Sequence, residues 1–281
     1  MKLTISFLLT VSFSWSIGLQ GLIIPENGQE LSMAGTGIAG GITPGLNPAI
    51  NISEHSYFQF SLNHWLGDIK GSQTTYHWGR EIPQAISIQL WDAKDLQLWG
   101  DNPDSSPLGT FGVHYLSAAY TISHNLKTPY RFGIQLQVNY THLYTKSMSG
   151  ISLDAGALFP LNSFLSTGVV VRNLGYEYTN KLRAELPKEI GMGIEMKLPF
   201  KMSILMDAIY QSKMGTDLRM GVRSHFKSLN VHAGTSIHKK RNAQALGFTL
   251  YYRKWLIGYS IYYHENSVLG LPQFLDVRRY L

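Results

Sequence analysis

The sequence predicts an all-β fold: a transmembrane antiparallel β-barrel of about fourteen strands with an N-terminal segment in its lumen. Three observations point there. Apolar and polar residues alternate with period two, the alternating stretches run for about ten residues, and their polar face carries Gly, Ser, Thr, Asn and Gln rather than Lys and Glu.

The alternation is clearest over 131–143, where Phe132, Ile134, Leu136, Val138 and Tyr140 interleave with Gly133, Gln135, Gln137, Asn139 and Thr141. Ile190, Met192, Ile194 and Met196 repeat it against Gly191, Gly193, Glu195 and Lys197, and Leu246, Phe248 and Leu250 against Ala245, Gly247 and Thr249. Apolar positions spaced at 180° per residue exclude a helix. Segments of this kind begin near His55, Ser72, Pro83, Phe111, Arg131, Gly150, Phe164, Pro187, Lys201, Asp217, Leu229, Ala243, Lys254 and Pro272. Tilted strands of about ten residues span a bilayer, and an even number returns the chain to its starting side.

Composition narrows the alternatives. A chain of 281 residues with 44% hydrophobic, 12% aromatic and only 15% charged residues is neither disordered nor dressed as a soluble surface. Its mean hydropathy of -0.07 is too low for a bundle of membrane helices. The formal charge of +6 is spread along the chain, without the clustered basic stripe of a nucleic-acid surface, and the absence of Cys removes thiol catalysis and thiolate metal sites.

In order along the chain, residues 1–18 read as a signal peptide. Lys2 precedes the apolar run Leu3 to Ile17, with Ser14 and Ser16 at a cleavage-like spacing. Residues 19–54 form a small-residue-rich segment without sustained alternation, suited to plug or line a pore, and 55–281 are the barrel. Laid alternately on two sides, the connections Asp92 to Thr110 and Asn173 to Leu186 are long and share one side. Glu81-Ile82, Leu198-Pro199-Phe200 and Arg253-Lys254 are short and share the other, the pattern of outer loops and periplasmic turns. Thr121 to Tyr130 is a longer turn on the short side. Trp65, Trp78, Trp91, Tyr144, Tyr210, Tyr251, Tyr252, Trp255, Tyr262 and Tyr263 stand near segment ends, where interfacial girdles sit.

Several motifs compete with this reading. Gly35 to Gly40 spells GxGxxG with Glu54 nineteen residues beyond Gly35, but neither a strand–helix context nor a βαβ rhythm surrounds it, so the glycines read as close-packed backbone. A Ser–His–Asn hydrolase could use His64 with Asn63 and Ser61, or His232 with Ser236, yet no HExxH or metal-spaced His pair accompanies them. The expectation is no enzyme and no cofactor. Arg219, Arg223 and His225 would form a basic lumen stripe, paired with Asp207 and Glu195 rather than bare, because an uncompensated inward cluster destabilises a narrow barrel.

Five stretches in order resemble the PorV/PorQ family of outer-membrane barrels, which have a FadL-like fold. They are LSMAGTGIAGG with LNPA (Leu31 to Ala49), SLNHWLGDI (Ser61 to Ile69), LDAGALF (Leu153 to Phe159), VVVRNLGY (Val169 to Tyr176) and LPKEIGMGIEMKLPF (Leu186 to Phe200). The resemblance implies an outer-membrane docking component of type IX protein secretion, binding cargo signal domains or anchoring a surface attachment complex. Its partners would be membrane lipid and secreted cargo or other secretion components. The outer-loop contacts would be Trp91, Asp92, Trp99, Asn102, Asp104, Tyr176, Tyr178 and Arg183, since aromatics and Arg make useful anchors. The alternative is a FadL-like channel for hydrophobic small molecules, with Gly35, Gly37, Gly40, Asn47 and Pro48 as plug or gate. That reading requires an apolar path past the plug.

Overall fold

In the computed structural model the described residues are 22–41, 43–50, 53, 55–98, 106–125, 129–179, 182–212, 214–238, 241–265 and 269–281. The signal-peptide assignment lies outside them. The strands are β1 (Tyr57–His64), β2 (Lys70–Trp78), β3 (Gln84–Leu98), β4 (Gly109–Asn125), β5 (Arg131–Leu143), β6 (Lys146–Pro160), β7 (Leu165–Thr179), β8 (Leu182–Glu185), β9 (Glu189–Leu198), β10 (Met202–Gln211), β11 (Gly215–Phe226), β12 (Leu229–His238), β13 (Arg241–Tyr252), β14 (Trp255–His264) and β15 (Gln273–Tyr280). Each pairs antiparallel with its sequence neighbour, β7 also pairs with β9, and β15 returns to β1 with Tyr57 opposite Tyr280. Fourteen strands therefore close a barrel, and β8 is a fifteenth, short strand that folds back on the end of β7.

Alternation sets the two faces. In β1, Gln59, Ser61 and Asn63 are buried while Phe58, Phe60 and Leu62 are exposed. Across the barrel Ile190, Met192 and Ile194 likewise face out. The apolar face is the outer one, as a lipid solvent demands, and the backbone is satisfied between strands with no open edge. Among the described residues no helix is long and apolar enough to cross a membrane.

The strand starts read from sequence hold closely: Arg131 and Leu229 coincide, and the largest shift is Gly150 to Lys146. The loops are where the reading changes. β3 and β4 reach 15 and 17 residues, so the link expected over Asp92 to Thr110 contracts to 99–108, and the long turn expected at Thr121 to Tyr130 contracts to 126–130. These strands rise past the lipid-facing band, and their outward faces turn polar: Asp92 bonds His114 at 2.6 Å and Lys94 at 3.0 Å. Bulges interrupt β3/β4 between Ala93 and Leu96, with Asp95 at φ 57°, and β6/β7 beyond Leu153, with Asn173 at φ 59°. Asp and Asn tolerate that left-handed backbone better than other side chains.

The N-terminal segment fills the lumen. It contains one five-residue helix, α1 (Gly28–Ser32), whose Asn27 cap accepts a hydrogen bond from the Glu30 amide, and a single turn at Pro48–Ile50. Leu31, Met33, Ile38, Leu46 and Ala49 are buried in full or nearly so. Each large apolar side chain among them stabilises the seated plug by about 1.5–3 kcal/mol.

Candidate functional site

The plug is clipped to the wall by polar bonds, and it comes closest where the wall has glycine. Gly133, Gly156, Gly168, Gly193, Gly221 and Gly234 face the lumen, and a methyl group at any of them would collide with plug atoms from Met33, Ile38, Asn47 or Pro48. Small wall residues thus let the plug backbone approach closely. Asn47 exploits the gap. Its Nδ2 lies 2.9 Å from the Ile38 carbonyl and 3.3 and 3.4 Å from the wall carbonyls of Ala157 and Val169, while its Oδ1 accepts from the Ala49 amide. Asp207 on β10 accepts from the amides of Gly37 and Ile38 at 2.6 and 3.1 Å, and Asp276 on β15 accepts from Gly28 at 3.0 Å. Arg172 and Arg219 donate to the carbonyls of Gly45 and Gly35.

The glycines of the GxGxxG string serve this path. Gly35 and Gly37 hold φ of 73° and 146°, values closed to most side chains, and a Cβ on Gly40 would strike Leu205. The predicted plug residues Gly35, Gly37, Gly40, Asn47 and Pro48 are therefore all in the lumen, in contact with the wall or with one another. Glu54 lies outside the described residues.

Among the described residues, a chamber lies at each end of the plug. The outer chamber, at the end carrying 99–108 and the β7–β8 arm, is a cavity of about 170 Å³. Leu22, Ile24, Trp65, Leu66, Ile69 and Tyr262 form its apolar side, and Glu26, Glu30, Arg172, Glu189, Asp217 and Arg219 its polar side. The apolar side continues inward as a cluster in which Ile24, Leu31, Trp91, Tyr115 and Phe274 are buried. Arg172 pairs with Glu189, and Arg219 with Asp217 at 2.8 Å. Glu26 and Glu30 lean on one another: the Glu30 carboxylate accepts from the Glu26 amide at 3.0 Å, and Gln73 donates to Glu26 at 2.8 Å. Burial first, and the neighbouring Glu26 second, push the Glu30 carboxyl up to about 8, and burial raises that of Glu26 as well.

The inner chamber, at the short-turn end, is a cavity of about 300 Å³ between the plug and β1, β11, β12, β13 and β15. Arg223, His225, Asn230, His232, Tyr251, Arg278 and Tyr280 line it.

The outer-loop residues read from sequence divide. Tyr176, Tyr178 and Arg183 meet on the β7–β8 arm, with the Arg183 guanidinium 3.2 Å from the Tyr176 ring centroid and the two tyrosine rings 6.4 Å apart. Trp91 is not a loop contact: it is 1% exposed on β3, points into the lumen and lies beside Gly71 and Phe274. Asp92 is on the same strand but the opposite face, tied to His114 and Lys94 rather than to the arm. Trp99, Asn102 and Asp104 lie outside the described residues. Of the expected girdle, Tyr144, Tyr210, Tyr252, Trp255 and Tyr263 are exposed, whereas Trp65 and Tyr262 turn inward onto the outer cluster and Tyr251 lines the inner chamber.

The basic stripe is paired, though with one exchange of partners. Arg223 takes Glu195 at 2.7 Å as expected, but Arg219 takes Asp217, leaving Asp207 free to cap the plug amides. The Ser61–Asn63–His64 triad fails on pleat parity: Ser61 and Asn63 point inward, and His64 points out, 3.4 Å from Asp68. Ser236 bonds Asp217 instead of His232. Glu26, Glu30, Arg172, Glu189, Phe274 and Arg278 escaped the sequence reading. The parity of β15 could have placed Phe274 and Arg278 inside, since Leu275 and Val277 occupy the alternate positions.

No family model and no curated protein matches the sequence. The fold has close counterparts among solved structures. The barrel is similar to that of the P. putida toluene transporter TodX, with a TM-score of 0.72 at 10% identity over 91% of this chain and 98% of the other. It is similar also to CymD, a monoaromatic hydrocarbon channel, with a TM-score of 0.68 at 10% identity over 92% and 98%. The likeness is one of fold: a closed antiparallel β-barrel of the same architecture as these two channels.

Proposed function

We propose that the protein is an outer-membrane channel for hydrophobic small molecules, gated by its own N-terminal segment. The observation that carries this reading is the outer chamber. An apolar and aromatic cluster leads from the mouth to the plug, and the plug is held to the wall largely by hydrogen bonds that water can replace. The molecules carried by the similarly folded channels, toluene and other monoaromatic hydrocarbons, are of a size and polarity that suit the apolar half of that chamber. With the long-loop end facing the cell exterior, such a molecule enters between Trp65, Ile69 and Tyr262 and meets the plug at Ile24 and Leu31.

The gate can be pinned. A Cβ at Gly221 would stand 3.4 Å from that of Thr36 in the plug, close to the span of a disulfide, and the chain has no Cys of its own. Liposomes carrying T36C/G221C, with Met33→Ala to clear the Cε that a Gly221 side chain would meet, should take up toluene faster than empty liposomes when the pair is reduced, and no faster when it is oxidised. Uptake by the wild-type barrel at the empty-liposome rate removes the channel reading.

A second reading, docking in type IX secretion, draws on the arm. Tyr176, Tyr178 and Arg183 form an aromatic and cationic cluster beyond the barrel rim, a form suited to a protein partner. Removing residues 176–185 should then block export and surface attachment of cargo bearing the type IX signal domain; unchanged export discards this role.

A further inference from the structure

We propose that the inner chamber binds an oxyanion, a carboxylate or a phosphate group, through Arg278. The described residues lining the chamber include Arg223 and Arg278 but no Asp or Glu, whereas the outer chamber has Glu26, Glu30, Glu189 and Asp217 against two arginines. Arg223 is neutralised by Glu195. Arg278 makes no ion pair among the described residues: its Nε and Nη2 both donate to one neutral oxygen, Gln59 Oε1, at 2.9 and 2.6 Å. Its remaining contacts, Nη1 to Tyr280 Oη and Nη2 to Gln29 Oε1, are both 3.4 Å, at the limit of a hydrogen bond. The guanidinium carbon stands over the Tyr57 ring, 4.3 Å from its centroid, a contact that supplies no anion.

With one Nη2 proton given to Gln59, the far edge of the fork, Nη1 and the second Nη2 proton, is preorganised and meets only the two 3.4 Å partners. That is the geometry a carboxylate or phosphate takes in bidentate fashion. Nearby donors are oriented to help. Asn230 Oδ1, which can only accept, receives a hydrogen bond from His225 Nδ1 at 2.6 Å, so Asn230 Nδ2 donates to Tyr251 Oη at 3.2 Å. The Tyr251 hydroxyl proton is then left to point at a ligand. A half-buried cation whose hydrogen-bond partners are all neutral attracts an anion strongly, because its charge is poorly screened there, and the one carboxyl that acts on it electrostatically, Asp276, makes no ion pair with it and accepts from the Gly28 amide instead. A cavity of about 300 Å³ holds a phosphate with several waters, or the head of a longer carboxylate. This site is separate from the channel reading, since it lies on the opposite side of the plug.

The test uses the full barrel in a neutral detergent, with folding checked by its heat-modifiable gel mobility. Sodium phosphate and sodium hexanoate are titrated calorimetrically at low ionic strength, with hexylamine as the cationic control. In a second arm, phosphatidylglycerol is compared with phosphatidylcholine in nanodiscs. Binding of a soluble anion, or of phosphatidylglycerol alone, supports the site and distinguishes a free from a lipid-borne group. Arg278→Gln should weaken it roughly ten- to a hundredfold, the worth of a charge-assisted hydrogen bond. Tyr251→Phe should weaken it less. Should Arg278→Gln fail to fold, phosphate or hexanoate should protect Arg278 of the wild-type barrel from phenylglyoxal, read by mass spectrometry. Absence of anion binding in both arms, binding unchanged in a folded Arg278→Gln barrel, or labelling of Arg278 indifferent to anions overturns the proposal.

Discussion

The two chambers of this barrel are separated by one short plug and differ in nearly every respect. The outer one is walled by Trp65, Ile69 and Tyr262, with Trp91 and Phe274 buried behind them, and has four carboxyl groups against two arginines; the inner one has no described carboxyl in its lining and centres on Arg278. The contrast teaches that the plug divides the lumen into compartments of opposite preference. An apolar neutral molecule is favoured on one side and an anion on the other.

The largest effect on this contrast should come from Trp91→Ala. Removing the largest buried side chain of the outer cluster costs about 3–5 kcal/mol. The melting of the barrel, followed by its gel mobility, should shift down sharply, while anion binding at the inner chamber in the cold stays as before. Equal loss at both ends would mean that the chambers are not independent.

A smaller and graded effect should come from pH. The Glu30 carboxyl, with its ordinary value near 4.5, is raised to about 8 when the plug is seated. The seated state then binds the proton more tightly than a displaced, hydrated plug. The Glu30 contribution to seating is full below about pH 4.5, falls as pH rises from there to about 8, and is flat above. Ion conductance through the barrel in planar bilayers should accordingly rise across that window, and Glu30→Gln should flatten the rise. A wild-type conductance that falls with pH in the same window would reverse the sign and refute the latch.

The smallest effect should come from Arg183→Ala on the arm. An exposed cation–π contact is worth about 0.5–1 kcal/mol, so barrel melting should hardly move. A large change in cargo attachment from the same substitution would shift weight from the channel to the docking role.

The barrel itself was legible because lipid and lumen impose opposite demands on alternate residues. Gln135, Gln137 and Asn139 had to face in if Ile134, Leu136 and Val138 faced out, and they do. Strand starts followed, but strand ends did not. Above the lipid the outward residues Asp92, His114 and His142 are polar, so alternation disappears from the sequence while the hydrogen-bonded ladder continues. That is why β3 outran its predicted end and why Trp91, beside an expected loop, is interior; β4 outran its own at the opposite, short-turn end, where the alternation of Thr121, Ile122 and Ser123 continues. β8 was hidden for another reason: four residues folded against β7 carry too little periodicity to register. The plug was visible only as a departure from alternation. Its partners were not, because Asn47, Asp207 and Asp276 meet across separations of more than a hundred residues and bond to backbone, which sequence pattern does not encode.

The seam between β1 and β15 gives the inner end a role in biogenesis. Asp276, which caps Gly28, and Arg278, which reaches Gln29 and Gln59, both belong to β15, the strand that closes the ring against β1. A machine that inserts the hairpins one after another would find the cork half-fastened until the final one arrives. Completion of the ring and locking of the cork are then a single event, and a leaky, unfinished cylinder has no fully corked counterpart.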